Sequence, residues 1–120
     1  MFPSHLPEQR AIATQLVDEL EAYEDDLRGL VERRWDPERA GSLSMRFDRL
    51  QLYAGALPLV TSCWTELLIS RVELVHALWS VSSPSRLGGK VRTCYARHQL
   101  RIAEVRRQCQ QYAAGGRTQA

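Results

Sequence analysis

Apolar residues recur at helical spacing in four stretches of this chain. From about Pro7 to Arg34, the series Ala13, Leu16, Leu20, Tyr23, Leu27 and Leu30 advances by steps of three and four, which puts all six on one helix face. Pro7 suits a first helical turn, and Glu8 sits near the positive end of that helix's dipole. Trp35-Asp36-Pro37-Glu38 reads as a break with a new start, Asp36 as cap and Pro37 as first helical residue, and Gly41-Ser42 punctuates the chain again. A second helix is expected from about Ser42 to Ala56, with Leu43, Phe47, Leu50, Ala54 and Leu57 on its apolar side. Gly55 and Pro58 end or kink it, because Pro58 disfavours helical geometry at Leu57.

The third stretch, about Pro58 to Val81, is the most apolar. Val60, Trp64, Leu67, Leu68, Val72, Leu74, Val75, Leu78 and Trp79 cover over half of its circumference, which predicts a central place in a bundle. Ser82 to Ser85 and Gly88-Gly89 read as a loop. A fourth helix, about Lys90 to Tyr112, has a seam of Val91, Tyr95, His98, Ile102, Val105, Cys109 and Tyr112. Gly115-Gly116 is expected to terminate it. The fold expected is all-α, an antiparallel bundle of about four helices. The alternative is three long helices, the middle one kinked near Pro58, with a dimer covering the exposed apolar face. One helical domain over residues 1–114 and a flexible tail over 115–120 complete the organisation.

Charge divides this pattern in two. Residues 1–40 carry ten acids and five bases, whereas residues 41–120 carry four acids and eleven bases. In the last 35 residues Arg86, Lys90, Arg92, Arg97, Arg101, Arg106, Arg107 and Arg117 face a single acid, Glu104. The seven cations from Arg86 to Arg107 are candidates for an anion or nucleic acid. They are spread around the fourth helix, however, and no compact helix-turn-helix precedes them. In an up-down-up-down bundle the acidic first helix and the basic fourth are neighbours, so the split reads first as a code for helix pairing. Fifteen of the sixteen bases are Arg, a bias that a GC-rich genome produces by itself.

Chemistry-bearing motifs are sparse. Glu73 and His76 have the Glu-x-x-His spacing of di-iron bundles, with Glu66 two turns earlier, but no second such pair exists. These three residues are weak metal candidates; the simpler reading is a polar stripe of Ser62, Glu66, Ser70, Glu73, Ala77 and Ser80. If that stripe lies against the fourth helix, Arg97 or Arg101 would pair with its carboxylates. His98 reads as a core or boundary histidine with one satisfied nitrogen, and Cys63 and Cys109 as small core hydrophobes. Three widely spaced cysteines make neither a disulfide framework nor a zinc pattern. Gly88-Gly89-Lys90 lacks the strand and glycine spacing of a phosphate loop. Trp35, beside Arg33 and Arg34, is a candidate partner anchor.

No catalytic residue and no cofactor are expected. Met1 to Arg10 lacks the apolar run of a secretory leader, and the longest apolar stretch, Ala56 to Ile69, is too short for a bilayer. The expectation is a cytoplasmic, non-enzymatic interaction protein with a protein partner or its own copy, and no membrane. The alternatives are nucleic-acid association through the fourth helix, and metal or small-ligand binding in the bundle.

Overall fold

The computed structural model describes residues 6–32, 37–79 and 89–118. Its elements are helices α1 (Leu6–Glu32), α2 (Pro37–Gly55), α3 (Thr61–Trp79) and α4 (Gly89–Thr118), with a 3-10 turn, Pro58–Val60, before α3. Asp36 and Trp35, the Ser82 to Ser85 loop, Arg86 and Gly88 lie outside the described residues.

The α1 series buries as its spacing demands: Ala13, Leu16, Leu20, Tyr23, Leu27 and Leu30 all lie in the core. On α2, Phe47, Leu50 and Ala54 are buried, followed by Leu57 just beyond the helix. The α4 seam from Val91 to Tyr112 is buried throughout, apart from a half-buried Tyr95. Burial of these stripes against one another, rather than local propensity, supplies most of each helix's stability.

Two boundaries differ from expectation. The second helix starts at Pro37 and runs straight through Gly41 and Ser42. An interior glycine costs about 1 kcal/mol against alanine, too little to break a helix that Pro37 starts and the apolar stripe from Leu43 onward anchors. Likewise α4 continues through Gly115 and Gly116 to Thr118. A glycine stop requires left-handed backbone, and no described glycine has positive φ.

Gly55 to Pro58 is a reversal, not a kink within one long helix. The axes on either side differ by 116°. Leu57, ahead of the proline, is extended at φ −121° and ψ 98°, the conformation that the proline ring imposes on its predecessor. Short amide bonds from Ala56 to Tyr53 and from Leu57 to Ala54, each 3.1 Å, tighten the exit from α2. The Tyr112 hydroxyl accepts the Leu59 N–H at 2.9 Å and ties the turn to the end of α4.

The chain therefore folds up-down-up-down, with α1 beside α2 and α4, and α3 beside α4. The 55 × 24 × 18 Å envelope is two helices by two in section, given interaxial spacings of about 8–10 Å. Helices α2 and α3 touch least, because they diverge from their turn. This arrangement corrects one expectation: α3 is not central. Its residues Ile69, Val72 and Trp79 are 53, 64 and 63% exposed. In a ring of four helices each one presents an outer arc to water, and the α3 arc is apolar.

Candidate functional site

Three polar side chains meet in the core. Tyr23 on α1, Ser70 on α3 and His98 on α4 are 1, 2 and 0% exposed. The Tyr23 hydroxyl lies 2.8 Å from His98 Nε2, and the Ser70 hydroxyl lies 2.7 Å from Nδ1. Ser70 Oγ is also 2.8 Å from the Leu67 carbonyl. A carbonyl can only accept, so Ser70 donates to Leu67 and accepts from His98 Nδ1–H. His98 Nε2 is then unprotonated and accepts the Tyr23 O–H. One tautomer satisfies the whole chain, and both imidazole nitrogens are bonded where one had been expected.

Burial, with Arg71 nearby, pushes His98 down to about pKa 4, so the ring is neutral near pH 7. Burial raises the Tyr23 phenol, even though Arg71 beside it acts the other way. The Ser70 proton points at a backbone carbonyl and Ser70 and His98 are buried, so this Ser-His pair lacks the exposed, activated hydroxyl of a nucleophile. It joins three helices at one level and specifies their register, because any slip would leave buried polar atoms unpaired.

The polar stripe on α3 faces α4, as its spacing allowed. Arg97 donates to Glu73 at 2.9 Å, and Arg101 lies 3.8 Å from Glu66 and 3.3 Å from Glu104. The two glutamates proposed as metal candidates are thus held by arginines. His76 is exposed, and no cluster of three His, Cys, Asp or Glu side chains suited to a metal ion occurs among the described residues. The three cysteines are buried free thiols. Burial holds Cys109 up at about pKa 12 and raises Cys63, which keeps both protonated and unreactive.

The charge split resolves differently from the α1–α4 code. Only Arg106 with Glu24 bridges those two helices among the described ion pairs. The α1 acids Glu19 and Asp26 instead meet Arg46 of α2 at 3.2 and 3.0 Å, and Arg49 adds a 3.7 Å contact to Glu19. Most of the described interhelical ion pairs therefore lie within a hairpin, α1 with α2 and α3 with α4, rather than between α1 and α4. Of the seven cations proposed for an anion, Arg97, Arg101 and Arg106 are in ion pairs, Arg86 lies outside the described residues, and Lys90, Arg92 and Arg107 are exposed. Trp35 also falls outside the described residues.

Exposed apolar residues flank the α3–α4 ion pairs. The Ser70–His98 and Glu73–Arg97 contacts set an antiparallel register in which Leu100 falls opposite Ile69. Both are exposed, Leu100 at 67%, and Val72 continues the surface. Reading α3 as a core helix concealed this face; the two glutamates and the Leu100 position on the polar side of α4 were its signals.

A second feature had only a faint signal, a lone cation in the apolar α3 stretch. The Arg71 guanidinium carbon lies 4.2 Å from the centre of the Phe47 ring, within cation–π range. Phe47 stacks in turn on Trp64, with centroids 5.3 Å apart and an 18° tilt. Arg71 also reaches Ser44 Oγ at 3.4 Å. Among the described residues no carboxylate lies within ion-pair distance of it. No single described helix is long and apolar enough to cross a membrane. The chain matches no known protein family, no curated protein and no solved structure.

Proposed function

We propose that this chain is a non-enzymatic helical interaction protein that docks a protein partner on the outer face of α3 and α4, the partner its charges fit being a second copy of itself. The observation that carries this reading is the exposed set Ile69, Val72 and Leu100 flanking two interhelical ion pairs. Large exposed aliphatics grouped on one face are characteristic of interaction sites, whereas scattered ones are not. The same face holds Arg97, Arg101 and Arg107 beside Glu66, Glu73 and Glu104. Both signs on one surface allow a two-fold related copy to set acid against base, as an isologous interface requires. About 800 Å² per partner makes a standard interface, roughly a tenth of this molecule's 7692 Å² surface.

Phosphate recognition through α4 has less support. Three of its cations already have carboxylate partners. The exposed Lys90 and Arg107 stand about 25 Å apart along the axis at 1.5 Å per residue.

Sedimentation equilibrium tests the proposal. The wild type should show twice the 13.7 kDa chain mass at micromolar concentration. Leu100→Glu should return it to the monomer mass with helical circular dichroism unchanged. A wild type that stays monomeric at the highest soluble concentration sinks the self-docking reading.

A further inference from the structure

The reversal at Gly55 to Pro58 opens a wedge. Because the 116° bend falls short of a full antiparallel return, the space between α2 and α3 widens with distance from the turn. Nearer the turn, Phe47 and Trp64 fill it by stacking. Beyond them the wedge becomes a cavity of about 420 Å³ closed on a third side by α1. Its walls are apolar, with Leu27 and Leu30 from α1, Leu43 from α2, and Leu74 and Leu78 from α3. Three polar groups converge there: the Arg71 guanidinium, the Ser44 hydroxyl and the Tyr23 phenol.

Arg71 is what makes this more than a packing gap. A guanidinium has five N–H donors. Those of Arg71 reach the neutral Ser44 hydroxyl at a long 3.4 Å and the Tyr23 phenol. A half-buried cation without a counter-ion is costly, and a bound anion offsets that cost. The groups behind it do not supply one, since Tyr23, His98 and Ser70 form a neutral hydrogen-bonded chain. The guanidinium rests over the Phe47 ring while Arg71 lines the cavity, which places its cation beside the apolar space.

We infer that the cavity between α1, α2 and α3 binds a small apolar molecule ending in one carboxylate, the carboxylate seated on Arg71 and Ser44 and the apolar part among the leucines. One guanidinium balances one negative charge, which favours a carboxylate over a phosphate dianion. A planar carboxylate also matches the fork with two parallel bonds. At about 30 Å³ per water-sized group, the cavity accommodates on the order of a dozen heavy atoms. Decanoate has that size and serves as the probe.

Calorimetric titration with submillimolar decanoate and, separately, with 1-decanol reads the proposal. Decanoate should bind at least about tenfold more tightly than the alcohol, the increment expected of a charge-assisted bond. Arg71→Met should abolish that preference, and Val75→Trp, which crowds the cavity wall, should remove binding of both. Leu100→Glu should change neither, which separates this site from the docking face. Equal binding of acid and alcohol to the wild type, no binding of decanoate, or a preference retained in Arg71→Met overturns the proposal. If Arg71→Met does not fold, the wild-type comparison and Val75→Trp decide it.

Discussion

His98 shows most directly how one residue sets a property of the whole chain. It is fully buried and neutral, with about pKa 4 in the fold against about 6.5 when unfolded. Between these values the unfolded chain binds a proton that the folded chain refuses. Stability should therefore be independent of His98 above pH 6.5. Below it, stability should fall by about 1.4 kcal/mol per pH unit, some 3 kcal/mol in all by pH 4. Urea unfolding across pH 4 to 8 measures the slope, and His98→Phe should flatten it in that window. The position of His98 in a seam between Tyr95 and Ile102 was legible in the sequence. Its bonding was not, because Tyr23 and Ser70 are 75 and 28 residues away, and a residue's partners at such separations depend on how whole helices pack.

At the scale of the element, α2 carries a correctable weakness. Gly41 lies within the helix, is exposed, and has open space around the position of a Cβ. Gly41→Ala should stabilise the fold by roughly 0.5–1 kcal/mol, through helix propensity and a less flexible unfolded chain. A raised urea midpoint with an unchanged slope checks it. The α3–α4 ion pairs are expected to contribute far less than their number suggests. Arg97 and Glu73 are both nearly half exposed, so a double-mutant cycle on the pair should yield under about 1 kcal/mol. Helix faces were legible wherever the apolar stripe was narrow, as on α1 and α4. On α3 the stripe was too wide, and periodicity alone could not say that Val72 and Trp79 lie outside.

For the whole molecule, these magnitudes decide what holds the bundle together. Leu67 is fully buried between α3 and its neighbours, and Leu67→Ala should cost about 2–5 kcal/mol in urea unfolding. Raising salt from about 0.05 to 0.5 M, which screens exposed pairs, should change stability by less than that one substitution. The ion pairs then act mainly on which helix adjoins which. They link α1 with α2, and α3 with α4, while the first hairpin keeps an excess of acids and the second an excess of bases.

Helical period and proline geometry act over a few residues, so the all-α class, the apolar faces of α1 and α4 and a break at Gly55 to Pro58 were legible in the chain alone. The sequence also placed Arg97 and Arg101 as partners for the α3 carboxylates once adjacent antiparallel helices were assumed. Only the tertiary structure decided that α1 acids turn to α2, that Ser70 and His98 share a proton chain with Tyr23, and that α2 and α3 splay to leave Arg71 beside an apolar cavity. Those outcomes depend on how whole helices pack across the bundle, as in the 116° bend between α2 and α3 and the Phe47–Trp64 stack between them, which no local spacing encodes.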